Sequence, residues 1–367
     1  MNSATLRSGA LAAVLVSTLV LMSCSTPDSP AAPLAPPAPP PPPALRLSSQ
    51  IVETAAVYQS YLRQASAISP TFTQGDQIQA SLKQGEAYEP KQLSRGVVAY
   101  AAILALQEPS FVTGVRAYAA DPAQRADMIN KIYADPAYAA QLPGAQAAAG
   151  LIVSQLDAEG SAIHRAGAAI KQSAYDIQRE SWSKEFVKDR EGRLAAAKQL
   201  SSVPAAPSSD EAARLHQAAT TGTGLGVSAR VTQPPYTQAV IRGLAVAALA
   251  ALGAAGDENA AQITTLLDDG SSPYCLSMSK LNLYQCLAVS KPHFEDVFCL
   301  GQHALMDTGR CVQKVAGTAP VEQTTLQRMT AAREAAANGR PVAAIGTAYN
   351  DLNKPKTKAK KPAPKKK

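Results

Sequence analysis

Four cysteines, Cys275, Cys286, Cys299 and Cys311, fall within 37 residues, and their spacing restricts how this part of the chain can fold. An even set of cysteines in an exported chain reads as two disulfides. If Cys275 and Cys286 share a helix, the chain between them climbs about 16 Å. Disulfide partners need Cα atoms within about 7 Å, so neighbours on one helix cannot pair. A turn at Ser290-Lys291-Pro292 resolves the geometry. Two antiparallel helices then set Cys286 opposite Cys299 and Cys275 opposite Cys311. Pro292 suits the start of the second helix, and Ser290 is expected to cap it. Sequential pairing is the alternative. It requires a break inside each arm, and Gly309 supplies one only in the second.

His293 and His303 sit among these cysteines, which raises the question of zinc. Zinc knuckles bring cysteines about two to four residues apart, and no such spacing occurs here. The absence of Cys-x-x-Cys argues against a redox-active pair. No metal and no cofactor are expected. His164 and His216 fall on expected helices with no nucleophile motif beside them and read as structural. The stapled arms resemble the twin-cysteine helical hairpins of small oxidised proteins, at a spacing one or two residues wider. The likeness is one of architecture.

From Leu45 to about Asn338 the pattern is helical, so the expected class is all-α, an Ala-rich bundle. Helices are predicted over Leu45–Ile68, Asp76–Tyr88 and Pro90–Gln107, with Pro90 in a first turn. Pro109, Pro122 and Pro136 punctuate shorter ones, with Asp121 and Asp135 as N-caps. One long helix is predicted over Gln155–Leu200. Leu156, Ile163, Ile170 and Ile177 recur every seven residues, with Gly160, Gly167, Ala174 and Ser181 between them. Small residues in such a seam let another helix approach closely. Arg179, Glu180, Lys184, Glu185, Lys188, Asp189, Arg190 and Glu191 read as a solvated helix face rather than a glycosidase acid–base pair. Trp182, Phe186 and Val187 read as core.

Ser201–Ser209 reads as a linker within a longer loop, 201–235. Gly222, Gly224 and Gly226 lack the strand–loop–helix setting that a phosphate-cradling loop requires. The apolar stretch Tyr236–Ala255 reads as a buried bundle helix, because Arg242 interrupts it and the uninterrupted remainder is too short to span a bilayer. The chain is thus divided into a helical domain 45–200, the loop 201–235 and a four-cysteine helical subdomain 236–340.

At the N-terminus Arg7 precedes an apolar run from Ala10 to Met22 that ends at Leu21-Met22-Ser23-Cys24. This run is too short for a comfortable span and fits the apolar core of a secretory signal. With the cysteine at its end, the segment resembles the signal and lipobox of a bacterial lipoprotein. The resemblance covers residues 1–24 and implies cleavage before Cys24 and lipidation of its thiol, with palmitate-type acyl chains. Ser25, in place of an aspartate, implies sorting to the outer membrane.

Residues 27–43 contain ten prolines and cannot join a helix or sheet. As polyproline II they would reach on the order of 50 Å, a spacer between lipid and folded body, so 24–44 is expected to be disordered. At the other end, 341–367 is expected to be a disordered tail. Its last part carries Lys354, Lys356, Lys358, Lys360, Lys361, Lys365, Lys366 and Lys367 without one acid. Peptidoglycan carboxylates and lipopolysaccharide phosphates are the polyanions such a tail would meet in an envelope, whereas nucleic acid is rarely present there. The net charge of +7 belongs to this appendage: without its eight lysines and Arg7, residues 24–353 carry −2. A basic protein by pI is therefore not a basic fold.

The expectation is a non-enzymatic envelope lipoprotein that scaffolds, or tethers the outer membrane to an anionic component or an unidentified protein. Two competitors stand beside it. A cell-wall hydrolase would need a desolvated carboxylate opening into a pocket. A ligand-binding or assembly-accessory lipoprotein would show an apolar cleft between helices.

Overall fold

A computed structural model describes residues 44–228 and 232–319, all α-helix and connections. Among them there is no strand, only the isolated bridges Leu47–Ala255 and Phe186–Pro292. The chain opens with α1 (Ser49–Ser66), α2 (Gly75–Glu86), α3 (Pro90–Ala105), α4 (Pro109–Arg116) and α5 (Pro122–Ala134). Three of these helices and the 3-10 turn that follows them start alike, with a proline in the first turn preceded by an acid whose carboxylate accepts the next free amides. Glu89, Glu108 and Asp121 cap α3, α4 and α5 in this way, and Asp135 caps a 3-10 turn over Pro136–Gln141. Proline loses nothing at a position whose amide has no helical acceptor, and the acid satisfies the donors that remain.

The long helix is displaced from its expected position. Helix α6 runs from Ala145 to Ile177, and α7 occupies only Arg190–Leu200. Between them the chain makes a 3-10 turn at Trp182–Lys184 and then crosses the hairpin turn. There Val187 donates to the Lys291 carbonyl at 2.9 Å and His293 donates to that of Glu185 at 3.1 Å. Asp189 restarts the helix by accepting from the Gly192 amide at 2.8 Å. The charged run is therefore not one helical face. Phe186, read as core, is 65% exposed, whereas Val187 is buried and Trp182 packs partly against the core.

The expected loop 201–235 contains a further helix, α8 (Ser209–Thr221), closed by Gly222 at φ +69°. Next come α9 (Gln238–Ala251) and α10 (Ala260–Leu266). Helix α9 is buried throughout from Gly243 onward and packs on α3, which is buried from Gly96 onward. Gly243 permits that approach, since a Cβ there would sit 2.6 Å from the Ala101 Cβ. Gly96 does the same toward α1, where a Cβ would lie 2.8 Å from the Thr54 carbonyl oxygen. Helices on either side of 201–235 thus share one core. Each fully buried leucine or valine, such as Leu244, Val246 and Leu249, contributes about 1.5–3 kcal/mol. Among the described residues no single helix is long and apolar enough to cross a membrane; α3 and the segment Pro109–Ala119 pass that test only as a pair, bent by 83°.

The C-terminal part is the helical hairpin. Helix α11 (Ser272–Val289) is followed by the turn at Ser290–Pro292 and by α12 (His293–Cys299). A π-helical stretch, Leu300–Met306, continues into α13 (Asp307–Ala316). Disulfides join Cys275 to Cys311 and Cys286 to Cys299, each with Cα atoms 5.7 Å apart. The second arm holds one residue more between its cysteines than the first. A π-turn amounts to inserting one residue into an α-helix, and it lies between Cys299 and Cys311, where it absorbs the surplus. Ser290 does not cap α12; it ends α11, and its hydroxyl donates to Asp296 at 2.7 Å.

A candidate ligand cleft beside a buried charge cluster

The hairpin is clamped to the body from two sides. Along α6, Gly160 and Gly167 face Gly309 and Gly301, and backbone meets backbone. A Cβ on Gly160 would lie 2.8 Å from the Gly309 carbonyl oxygen, and one on Gly167 would lie 2.7 Å from that of Gly301. At the tip, Arg190 of α7 donates to the carbonyls of Ser290 at 2.8 Å and Ala288 at 3.0 Å. Arg193 donates to the Leu287 carbonyl and pairs with Asp296, both side chains buried. Guanidinium groups here satisfy the open carbonyls at the C-terminus of α11, where the helix dipole favours positive charge.

Behind the hairpin lies a cluster of buried polar groups. Helix α11 carries one charged residue, Lys280, and it is buried. Its Nζ donates to the Glu86 carbonyl and lies 3.7 Å from the centroid of the Tyr88 ring. Burial pushes the Glu86 carboxyl up, against the charges of Lys280, Lys83 and Arg193, and pushes the Lys280 ammonium down, against Glu86. The hydroxyl groups beside them form a directed chain. Ser279 donates to the His303 carbonyl at 2.7 Å, so it accepts from Thr308 at 3.1 Å, and Thr308 in turn accepts from Tyr88 at 3.0 Å. That order requires a protonated Tyr88, in keeping with its upward shift to about 12 on burial.

Ser279 also lines a cleft of about 500 Å³ between the start of α9, the first turns of α11, and α13. The Cys275–Cys311 disulfide forms part of its wall. Asp269 accepts from the amides of Ser271 at 3.2 Å and Ser272 at 3.0 Å and closes the N-terminus of α11. Burial alone would raise the Asp307 carboxyl, but hydrogen bonds from His303, Gln302 and Asn282, with the charge of His303, hold it below the usual range. Met278, Val315 and the rim residue Tyr274 supply apolar surface, and Arg310 and Lys314 supply positive charge.

A desolvated carboxylate of the kind a hydrolase would need is present elsewhere. Burial raises Glu159, which lines a cavity of about 150 Å³. It is held by Tyr58 at 2.9 Å, Gln59 at 2.9 Å and Gln155 at 2.8 Å. The second candidate, Glu86, sits behind Lys280. Neither carboxylate lines the 500 Å³ cleft.

Of the residues singled out from the sequence, the four hairpin cysteines come together in two pairs. Cys24 and the lysines at 354, 356, 358, 360, 361, 365, 366 and 367 lie outside the described residues. His303 bonds Asp307 at 2.8 Å, His293 packs against Gly75, and His164 meets the Met306 carbonyl at 3.3 Å. Among the described residues no group of three or more His, Cys, Asp or Glu is placed to hold a metal ion. Sequence reasoning missed the buried cluster, although one lysine in an otherwise uncharged 18-residue helix was a usable signal for it. Compared with protein-family models, curated proteins and solved structures, the chain matches none.

Proposed function

We propose that the chain is a lipid-anchored protein of a bacterial cell envelope, whose stapled helical body acts as a scaffold or tether rather than as an enzyme. The observation that carries this reading is the pair of disulfides in the hairpin. Disulfides persist in oxidising compartments, which agrees with the export signal and lipobox ending at Cys24. The proline-rich spacer would lift the body from the outer membrane. The lysine tail would reach peptidoglycan or lipopolysaccharide without geometric selectivity. A hydrolase is the less favoured reading, because Glu159 is fully engaged by Tyr58, Gln59 and Gln155 and Glu86 is enclosed.

A second reading, a ligand-binding or assembly-accessory lipoprotein, is favoured by the cleft between α9, α11 and α13. Fractionation tests the shared anchor. The wild-type chain should sediment with membranes and Cys24→Ala should not. Membrane association of Cys24→Ala equal to wild type would contradict both readings.

A further inference from the structure

Far from the hairpin, a cavity of about 710 Å³ opens between α5, the turn after α9 and the start of α10. Its walls are tied together from within. Arg125 of α5 donates to the carbonyls of Leu252 at 2.7 Å and Gly253 at 3.3 Å, so its guanidinium closes the C-terminus of α9. The chain turns there through Gly253 at φ +68°, and α10 packs back on α9. The site is therefore shaped before anything binds, which lowers the cost of binding.

The charges of the lining balance. Its one cation, Arg125, is spent on two carbonyls, and its one carboxylate, Glu258, is exposed and accepts a long bond from Asn259 at 3.5 Å. Neither sign is in excess, which argues against an ion as the occupant. The polar groups that remain open are uncharged. Asn130 and Gln262 line the cavity, are exposed, and make no side-chain hydrogen bond among the described residues. Each amide offers two donors beside an acceptor. Tyr133 also lines the cavity, and its hydroxyl is buried without a partner among the described residues. An unpaired buried hydroxyl is costly, so this one marks a place that a bound hydroxyl or water would satisfy. Ile129 and the Tyr133 ring add apolar surface between the polar groups.

We propose that this cavity binds an uncharged saccharide, its hydroxyls on Asn130, Gln262 and Tyr133 and its C–H face on Ile129 and the Tyr133 ring. A pyranose matches the lining because it sets adjacent donors and acceptors around an apolar face and carries no charge. The volume falls in the range of small-molecule sites. Nothing in this assignment depends on the lipid anchor or the tail, so its failure leaves the proposed function untouched.

The test is isothermal titration of the full chain carrying Cys24→Ser, which removes the one thiol outside the two disulfides. Maltose and N,N′-diacetylchitobiose are the uncharged probes, with glucuronate and glucosamine as charged comparators. Saturable one-to-one binding of maltose, diacetylchitobiose or both, alike at low and high salt and tighter than that of either charged sugar, supports the site. Maltose alone identifies a plain polyhydroxyl ligand and diacetylchitobiose alone an acetamido sugar. The double variant Asn130→Ala/Gln262→Ala, at exposed positions, should weaken binding threefold or more. Tyr133→Phe should also weaken binding while leaving the denaturant midpoint no lower than wild type, since it deletes only an unpaired hydroxyl; a purely structural tyrosine would show the opposite pattern. Absence of saturable binding, tighter binding of a charged sugar, or a loss below threefold in the double variant would overturn the proposal.

Discussion

Gly167 and Gly301 meet so closely that a Cβ on Gly301 would lie 2.7 Å from the Gly167 carbonyl oxygen and 2.5 Å from the Lys171 amide nitrogen. Neither obstacle is a side chain that can swing aside. Gly301→Ala, and likewise Gly167→Ala, should therefore cost about 2–3 kcal/mol by forcing α6 and the hairpin apart. Urea unfolding with the disulfides intact measures it. A change below about 0.5 kcal/mol would mean that the two backbones do not touch.

The two staples should differ in worth. Cys275–Cys311 closes a sequence separation of 36 and Cys286–Cys299 one of 13. Chain entropy then assigns about 4 kcal/mol to the first and about 3 kcal/mol to the second. Paired Cys→Ala variants, compared by denaturant midpoint, should show the larger loss for Cys275/Cys311. Non-reducing peptide mapping should recover these two linkages, and free thiols at any of the four positions would contradict the hairpin.

The Glu86–Lys280 pair predicts a pH signature. Glu86 keeps its proton up to about 7 in the folded chain, above the ordinary carboxyl value. Its contribution to stability is full below that ordinary value and is lost as pH rises toward 7. Lys280 is lowered to about 7, so its contribution is present above the ordinary lysine range and is lost as pH falls toward 7. Together they make the pair least favourable near neutral pH. The stability difference between wild type and the double variant Glu86→Gln/Lys280→Met should fall from pH 5 to 7 and rise again from 7 to 9. A difference that stays flat across this window would contradict the coupling. Lys280→Met alone should cost about 1–3 kcal/mol, because it removes the lysine donor from the buried Glu86 main-chain carbonyl.

The tail makes a separate prediction. Deleting residues 354–367 should abolish salt-sensitive sedimentation with purified sacculi, since those residues hold eight lysines and no acid. Binding that survives the deletion would reduce the tail to a device for solubility.

What could be read from the sequence was what local chemistry dictates. Pro90, Pro109, Pro122 and Pro136 mark helix starts because proline tolerates few other helical positions, and the acids before them complete the caps. The cysteine spacing carried the hairpin because an 11-step helical separation is incompatible with a disulfide. Gly160 and Gly167 announced a close helix partner, yet nothing local named Gly301 and Gly309 as that partner, since the contact forms only in the folded chain. The end of α6 at Ile177 was illegible for a related reason. No glycine or proline occurs between Ile177 and Asp189, and the break exists because the chain there bonds the distant turn at Lys291 and His293. Lys280 was visible as an isolated charge, but its enclosure by Glu86 and Tyr88 is tertiary.

The central claim, that a lipid holds this stapled helical body in an envelope, is tested most directly at Cys24. Mass spectrometry should be run on the N-terminal peptide of the chain made with its own first 23 residues in a Gram-negative envelope. The account predicts a peptide that starts at Cys24 and carries a diacylglyceryl group on Sγ. An unmodified Cys24, or a peptide that still contains residues 1–23, would contradict it.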